Sequence, residues 1–213
     1  MKLGLSLVGI SHLVHKQRWP ISRSYTTCKE NYSNVLLPRL TKNFNVEVYL
    51  TTYESSEQKN IIDFYKPTKY QFLPFSNSHQ IVTFIKSIEQ LQGQNLDYVL
   101  ITRFDINFNK GKIEQLKVML DKINFLCKEK DHWDNYNFVN DCVYFLPSKY
   151  LAPLKQACFR LLEHPPRPGL MDMHGLYKFI TQVIGPEQIS FMTDEHFLSS
   201  GNEIYELKRL NID

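Results

Sequence analysis

The sequence predicts a single-domain α/β fold, a three-layer sandwich in which helices flank a mostly parallel central sheet of about six strands. Three observations predict it. Strand-like segments rich in β-branched and aromatic residues alternate with segments of helical apolar spacing, which is typical of parallel sheets. The length of 213 residues suits one such domain, covering 1–213. Residues 98–102 form a continuous apolar run, as expected of a strand buried on both faces.

The first half of the chain supplies three predicted strands and two helices. Residues 3–10, 46–53 and 70–75 carry the strand patterns. Apolar side chains return every three or four residues in two other segments, so we expect helices there. Those side chains are Tyr25, Cys28, Tyr32, Val35, Leu36 and Leu40 in the first segment, and Ile81, Phe84, Ile85, Ile88 and Leu91 in the second.

The second half continues the alternation. The apolar spacing predicts a helix over 113–126, and the short charged run at 128–130 is expected to be its solvated end. A strand is predicted over 138–146, followed by a helix from 148. The Pro-rich segment 164–169 is expected to be a loop within the domain. A helix near 174–183, a short strand at 189–192 and a final ordered stretch near 203–207 complete the prediction.

Composition excludes several classes of protein. A net charge of +3 without a Lys/Arg block argues against a nucleic-acid partner. No apolar stretch reaches the ~18 residues of a membrane span, and the N-terminus is typical of a strand rather than a signal peptide. The four cysteines show neither a CxxC pair nor zinc-type spacing, so we expect reduced, buried thiols in a cytoplasmic protein. We expect a monomer.

Common catalytic motifs are absent from the sequence. It contains no GxxxxGK[ST], no GxGxxG after the first strand, no GxSxG and no HExxH. In an open α/β sheet, ligands bind beyond the carboxyl ends of the strands. The polar residues that follow the predicted strands are therefore the candidates for a site.

Arg103 and Asp105 close the apolar strand at mid-chain. A carboxylate fixed at a strand end can hold a hard divalent cation, and that cation can clamp a diphosphate. The planar fork of Arg103 can pair with Asp105 or contact phosphate or ribose oxygens. The competing interpretation is an Arg–Asp pair at the sheet edge with no ligand.

Several segments together resemble the GT-A glycosyltransferases, the nucleotide-diphosphosugar fold with a DxD motif. They are LGLSLVGI at the first strand, EVYLTTY at the second, DYVLITRFDINF at mid-chain, FVNDCVYFLPSKYL after it and TDEHFL near the C-terminus. The mid-chain strand resembles the version in which R-x-D replaces DxD in some viral sugar transferases. The overall resemblance is to domains from large DNA viruses of the chlorella-virus kind, either whole or cut from a longer polypeptide, which implies the host cytoplasm.

The resemblance implies a UDP-sugar donor and Mn²⁺ or Mg²⁺. Asp105 matches the second Asp of DxD, the metal ligand, and Arg103 stands in place of the first. His196, Asp194 or Glu195 is expected to supply a second ligand, with His196 preferred. The residues expected to border the nucleotide are Gly9, Ile10, Ser11, His12, Arg18, Thr52, Tyr53 and Arg103. Tyr53 is either a stacking partner for uracil or a packed core tyrosine, and His12 and Arg18 are either phosphate-binding cations or solvated loop residues.

Asp141 and Glu195 are the predicted catalytic carboxylates. A carboxylate inside an apolar strand is costly unless it is used, so Asp141 is expected to bind sugar hydroxyls or to act as a base. The alternative is a satisfied carboxylate in a β-bulge. If the reaction inverts the anomeric carbon, Asp141 or Glu195 takes the proton; a helix cap at Thr193 or Asp194 is the competing interpretation of the second segment.

The predicted function is transfer of a hexose from a UDP-glucose-like donor to a hydroxyl of a glycan or glycoprotein acceptor, with a metal ion. A noncatalytic nucleotide- or glycan-binding module on the same fold is the alternative, and the missing first Asp favours it. A nucleotidyltransferase is a third possibility, disfavoured because GISHLVHKQR after the first strand is short of glycine.

Overall fold

The computed structural model describes residues 1–13, 21–75, 79–164, 173–197, 203–208 and 210–211. Its centre is a seven-stranded sheet of order β7-β5-β6-β4-β1-β2-β3. The strands are β1 Lys2–Val8, β2 Asn45–Tyr53, β3 Lys69–Leu73, β4 Tyr98–Arg103, β5 Ile123–Phe125, β6 Val143–Pro147 and β7 Ile189–Phe191. The predicted fold class is confirmed, with one strand more than expected.

One strand of the sheet runs against the others. Strand β1 pairs in parallel with β2 and β4, β2 with β3, and β5 with β7. Strand β6 is antiparallel to both β4 and β5, between which it lies. As a result, the first residue of β6, Val143, lies opposite Thr102 near the carboxyl end of β4. The residues just before β6 therefore reach the edge at which the parallel strands end.

Helices cover both faces of the sheet and form the outer two layers. Helix α1 spans 29–41 as Lys29–Asn31, a π-helical Tyr32–Leu36 and Leu37–Thr41, after a 3₁₀ turn at Tyr25–Thr27. The longer helices are α2 Gln58–Tyr65, α3 Gln80–Leu91, α4 Leu151–Glu163 and α5 Leu176–Ile184. Helices α3, α4 and α5 bury one face of the sheet, and α1 and α2 bury part of the other.

Shorter elements complete the described chain. Lys110–Ile113 and Trp133–Tyr136 are one-turn helices, and Ser148–Tyr150, Met173–Gly175 and Pro186–Gln188 are 3₁₀ turns. Ile106–Phe108 pairs with Tyr205–Leu207, and Lys128–Glu129 pairs with His196–Phe197. Ile21–Ser24 pairs with both His12–Leu13 and Leu210–Asn211. Segments near the C-terminus are thereby attached to the loops that follow β1, β4 and β5.

The predicted helix over 113–126 is wrong. Only Lys110–Ile113 is helical, and Ile123–Phe125 forms β5, buried between β6 and β7. The intervening residues Val118, Met119 and Leu120 are exposed. Pairing with strands far along the chain decides the conformation here, and it outweighs the local helical spacing.

The predicted strand over 138–146 is divided in two. Residues 138–140 bond to 127–129, through Glu129 N–H to the Phe138 carbonyl at 2.9 Å and Asn140 N–H to the Cys127 carbonyl at 3.0 Å. Strand β6 then begins at Val143. Asp141 lies in the break between these segments rather than inside a strand. The expected solvated charge at 128–130 is also wrong for Glu129, which is buried at 5% exposure.

Other features agree with the sequence. Tyr25, Tyr32 and Phe84 are buried on their helix faces, and all four cysteines are free and buried. Gly93, after α3, has φ of 76°, a left-handed conformation that glycine adopts without strain. In the part of the chain described above, no helix is both long and apolar enough to cross a bilayer.

Gly4 in β1 tests how tightly the sheet packs against α3. An added Cβ would lie 2.6 Å from Leu96 Cδ1 and 3.1 Å from Leu91 Cδ2. We expect Gly4→Ala to lower the free energy of unfolding by about 1–3 kcal/mol through overpacking. Urea unfolding measures this. Gly111→Ala is the matched control, because its Cβ meets nothing closer than 3.7 Å, and an equal loss in both variants would contradict the prediction.

Candidate functional site

Arg103 and Asp105 form a bidentate ion pair at the carboxyl end of β4. Arg103 is the last residue of β4, and Asp105 follows in a two-residue turn. Arg103 Nε donates to Asp105 Oδ1 and Nη2 donates to Oδ2, both at 2.8 Å. Asp105 is only 4% exposed. This parallel two-bond geometry is the strong form of the Arg–carboxylate interaction, so both side chains are fixed in place.

Asp141 joins this pair from the loop before β6. Its Oδ2 lies 3.8 Å from Arg103 Nη1 and accepts a hydrogen bond from Gln80 Nε2 at 2.5 Å. Its Oδ1 accepts from Cys142 Sγ at 3.3 Å. The reversed direction of β6 brings Asp141 to Arg103, although 38 residues separate them in sequence. Gln80 belongs to the first turn of α3, so three elements meet at this carboxylate.

His174 lies on the other side of Asp141, in the 3₁₀ turn before α5. Its Nδ1 is 2.9 Å from the Val139 carbonyl, which can only accept, so Nδ1 carries a hydrogen. Val139 N–H in turn donates to the His174 carbonyl at 2.9 Å. His174 Nε2 is 3.8 Å from Asp141 Oδ2, and Nδ1 is 3.5 Å from Glu129 Oε2. The imidazole is thus held between two buried carboxylates.

A second set of hydrogen bonds fixes the loop that carries Asp141. Asn140 Nδ2 donates to the Tyr205 hydroxyl at 2.7 Å, and Asn140 Oδ1 accepts from Cys142 N–H at 3.1 Å. The Tyr205 hydroxyl also contacts Cys142 Sγ at 3.2 Å. Tyr205 belongs to the short strand Tyr205–Leu207, which pairs with Ile106–Phe108 just after β4. The backbone on both sides of Asp141 is therefore supported by bonded side chains, as a preorganised site requires.

We call Arg103, Asp105, Glu129, Asp141 and His174 the charged cluster. Burial by itself raises the pKa of Asp141, but the charges of His174 and Arg103 and the bonds from Gln80 and Cys142 outweigh it and lower that pKa to about 2. Asp141 is therefore an anion throughout the physiological pH range. Such a group accepts hydrogen bonds well but is a weak proton acceptor.

The lowered pKa of Asp141 predicts acid sensitivity. Because the pKa in the folded state, about 2, lies below the ~3.9 of an unfolded Asp, the ionised form stabilises the fold above pH ~4. This contribution, about 2.6 kcal/mol, is lost progressively as the pH falls from about 5 to about 1. In urea unfolding at pH 6 and pH 3, we expect the wild type to lose about 1 kcal/mol more than Asp141→Asn. Equal losses would contradict the prediction.

Five of the predicted nucleotide-binding residues, Gly9, Ile10, Ser11, Thr52 and Tyr53, lie at the carboxyl ends of β1 and β2. Gly9 has φ of 93° and donates from its N–H to the Thr51 carbonyl at 3.2 Å, so glycine allows the chain to turn away from β1. Ile10 follows and is partly exposed. Ser11 N–H donates to Thr52 Oγ1 at 3.1 Å, and Thr52 Oγ1 donates to Ser11 Oγ at 2.7 Å. Ser11 and Thr52 are buried, so their side chains join the two strand ends.

Tyr53 is packed rather than open. It is 3% exposed, its ring meets Phe75 edge-on at 5.5 Å, and its hydroxyl bonds to the Thr83 hydroxyl. This arrangement favours the interpretation of Tyr53 as a core tyrosine over that of a uracil platform. The backbone of His12 pairs opposite Ser24, but its side chain lies outside the described residues, as does all of Arg18.

The other two predicted site residues, Glu195 and His196, follow β7 in the chain. Both are exposed. Glu195 lines a small surface pocket with Lys112 and Glu203, and His196 pairs its backbone with Lys128. Neither residue is among the partners of Asp141 described above, which are Arg103, Gln80, Cys142 and His174. The catalytic role of Glu195 and the metal-ligand role of His196 stay predictions.

The donor set at Asp105 does not fit a divalent cation in this arrangement. Both carboxylate oxygens of Asp105 already accept from Arg103, and a cation would have to share this carboxylate with a positively charged guanidinium. Across residues 1–13, 21–75, 79–164, 173–197 and the described C-terminal stretch, no three His, Cys, Asp or Glu side chains are grouped so as to hold a metal ion.

Comparison with solved structures identifies the fold. GlyE of Streptococcus pneumoniae TIGR4, a glycosyltransferase, aligns over 90% of this chain at 11% identity with a TM-score of 0.50. The fold is that of the nucleotide-diphosphosugar transferases. The chain spans 45% of the length of GlyE. No family model matches the chain, and the search of curated proteins gives no match.

Nucleotidyltransferase structures share this fold to a similar degree. The 4-diphosphocytidyl-2C-methyl-D-erythritol synthase of Anaerococcus prevotii DSM 20548 aligns over 91% of this chain and 89% of its own, at 11% identity and a TM-score of 0.53. The bifunctional IspDF of Campylobacter jejuni aligns over 92% of this chain and 50% of its own, at 14% identity and a TM-score of 0.54. At these identities the likeness concerns the fold.

Three members of the site were missed or left at the margin by the sequence. His174 belongs to none of the motifs that the sequence offers, Gln80 carries no signal beyond its place in a helix, and Glu129 belongs to a charged run that is typical of a protein surface. Their meeting at Asp141 depends on how α3, α5 and the 127–129 segment dock, and no local pattern encodes that.

Proposed function

We propose that this protein is a glycosyltransferase that moves a hexose from a nucleoside diphosphate sugar, by resemblance a UDP-sugar, to a hydroxyl of a glycan or glycoprotein acceptor. The observation that carries the proposal is the charged cluster. It lies at the carboxyl edge of a nucleotide-diphosphosugar transferase fold, where ligands of open α/β sheets bind. The sequence resemblance places its R-x-D motif at the same edge.

Asp141 is the proposed sugar-binding anion. A permanently ionised, preorganised carboxylate accepts hydrogen bonds from sugar hydroxyls, and its low pKa makes this role more suitable than that of a general base. Arg103 and Gln80 position Asp141. His174, with Nε2 facing Asp141, is placed to hold or donate a proton at the same edge.

The backbone at Gly9 and Ile10 is proposed to border the nucleotide, and the Ser11–Thr52 bond holds it there. His12 and Arg18 are proposed to contact the diphosphate. Stabilising the negative charge that builds on the leaving diphosphate is the main electrostatic task of such a transferase.

The requirement for Mn²⁺ or Mg²⁺, with Asp105 and His196 as ligands, is also a proposal that rests on the resemblance alone. Because Arg103 donates to both oxygens of Asp105, we assign no step to a metal ion. Glu195 as the base likewise rests on the resemblance.

The competing functions are a noncatalytic nucleotide- or glycan-binding module and a nucleotidyltransferase. The fold likeness to the Anaerococcus synthase covers most of both chains, which favours testing for nucleotidyltransferase activity as well. A nucleotidyltransferase takes a nucleoside triphosphate and releases pyrophosphate. A glycosyltransferase of the proposed kind takes a nucleoside diphosphate sugar and releases the nucleoside diphosphate.

A ligand panel separates these functions. The thermal midpoint of the full chain is measured with UDP, GDP, CMP, CTP, UDP-glucose and UDP-galactose, each with Mn²⁺, with Mg²⁺ and with EDTA. A ligand that binds only the folded state raises the midpoint. We expect a nucleoside diphosphate to give the largest shift in thermal midpoint. We also expect its sugar conjugate to release the nucleoside diphosphate slowly by hydrolysis.

Four other outcomes would reject the proposal or change part of it. A shift with CTP and pyrophosphate release would indicate the nucleotidyltransferase. Binding of a nucleotide sugar without turnover towards any glycan acceptor would indicate the binding module. No shift with any nucleotide would reject the proposal, and shifts that survive EDTA would remove the metal requirement.

A further inference from the structure

A large apolar pocket lies on the sheet face that α1 only partly covers. Its volume is about 470 Å³, within the range of about 300–1,000 Å³ typical of small-molecule sites. The floor is formed by sheet residues, one wall by α1 and the other by the segment 114–122. The lining includes Leu100 and Phe145 of the sheet, Leu36 and Leu40 of α1, and Leu116 and Val118 opposite them.

The pocket is separate from the charged cluster. None of the five cluster residues lines it, and its lining includes Met1 and Phe44, which precede the amino ends of β1 and β2. The charged cluster lies beyond the carboxyl end of β4. A ligand in this pocket is therefore not the proposed donor.

The rim of the pocket exposes apolar side chains that folding would ordinarily bury. Val118 is 39% and Leu120 43% exposed, and both line the pocket. Contiguous exposed apolar surface beside a cavity is typical of a ligand-binding groove. An apolar ligand would remove both this rim and the pocket floor from water.

The polar residues of the pocket point to the charge of the ligand. Arg39 has the one cationic side chain among the lining residues, Asn43 has the one side-chain amide, and no side-chain carboxylate lines the pocket. Arg39 forms no ion pair with any residue in the described part of the chain. An anionic group at this end of the pocket gains a guanidinium partner without meeting a like charge.

We propose that this pocket binds a single aliphatic chain that ends in an anionic head group, a carboxylate or a phosphate. The chain lies over Leu100 and Phe145, and the head group lies at Arg39 and Asn43. The concave shape favours a flexible chain over a second copy of the protein, which would present a broad surface.

Three probes of equal chain length test the proposal on the full-length protein. Dodecanoate, dodecyl phosphate and dodecanol are titrated below their micellar concentrations, by displacement of a fluorescent fatty acid. We expect saturable 1:1 binding of at least one anion, about tenfold tighter than that of dodecanol. The ratio of the dissociation constants of dodecanoate and dodecyl phosphate shows which head group the pocket prefers. Equal binding of all three probes, or no saturable binding, overturns the proposal.

Two pairs of variants locate the ligand. Arg39→Glu should weaken the anion about tenfold and leave dodecanol unchanged, whereas Lys42→Glu, exposed at the end of α1 and outside the lining, should change neither. Val118→Trp should fill the pocket and weaken all three probes, whereas Met119→Trp, exposed but outside the lining, should not. Equal effects within either pair overturn the proposal, as does a dimer in sedimentation that Val118→Trp dissociates.

Discussion

Arg103→Met is expected to lower the free energy of unfolding by about 3–5 kcal/mol, the usual cost of removing one partner from a buried ion pair. Arg103 donates twice to Asp105 and lies 3.8 Å from Asp141. Both carboxylates are buried, so the variant leaves two negative charges without their guanidinium. The pKa of Asp141 should rise, because one of the charges that lower it is gone.

A double-mutant cycle makes this prediction specific. Arg103→Met, Asp105→Asn and the double variant are compared by urea unfolding. The double variant should be more stable than the sum of the single losses predicts, because neutralising Asp105 removes one of the stranded charges. Arg160→Met on α4 is the control, since Arg160 forms no ion pair with the described residues. Additive losses would show that the pair carries no coupling energy. An equal loss in the control would show that the cost is not specific to the buried pair.

Asp141→Asn is expected to reduce turnover of the donor about 10²-fold or more, with the fold retained. The amide keeps the shape of the side chain but removes the anion that is proposed to hold the sugar, and losing one preorganised charged contact costs about this much. Release of nucleoside diphosphate from the donor identified by the panel measures the effect.

Two control variants separate a local effect from a general one. Asp63→Asn changes an exposed carboxylate on α2 and should leave turnover unchanged. Glu195→Gln tests the second predicted catalytic carboxylate. Because Glu195 is exposed and lines a pocket with Lys112 and Glu203, we expect less than a tenfold effect. A loss with Glu195→Gln that exceeds the loss with Asp141→Asn would reverse the assignment of these roles.

The elements predicted from sequence are those whose pattern has a local cause. The apolar run before Arg103 and the helical stripe of α3 each indicate one structure by their own spacing, and both are found. The segment 113–126 fails because its apolar spacing suits a helix, while Ile123 and Phe125 are buried by pairing with β6 and β7. That pairing depends on residues up to 66 positions later, which no window of sequence contains.

The residues of the site also divide into those with a local signal in the sequence and those without one. Asp105 and Arg103 were found because a charged pair ends an apolar strand, and Asp141 because a carboxylate interrupts one. Glu129 and Gln80 were not found, because each looks like ordinary helix or surface composition until the elements dock. The viral resemblance, the single-domain assignment to 1–213 and the monomeric state stay predictions.

The position of β6 also constrains how the chain folds during synthesis. Strands β1, β2 and β4 can pair as soon as residue 103 has been made, but the next neighbour of β4 is β6, which arrives 40 residues later. Until then, β4 presents a free edge of unpaired N–H and C=O groups beside an apolar face. Such edges are templates for association between chains. The nascent protein therefore passes through a stage of aggregation risk that ends when residues 143–147 insert and close the gap between β4 and β5.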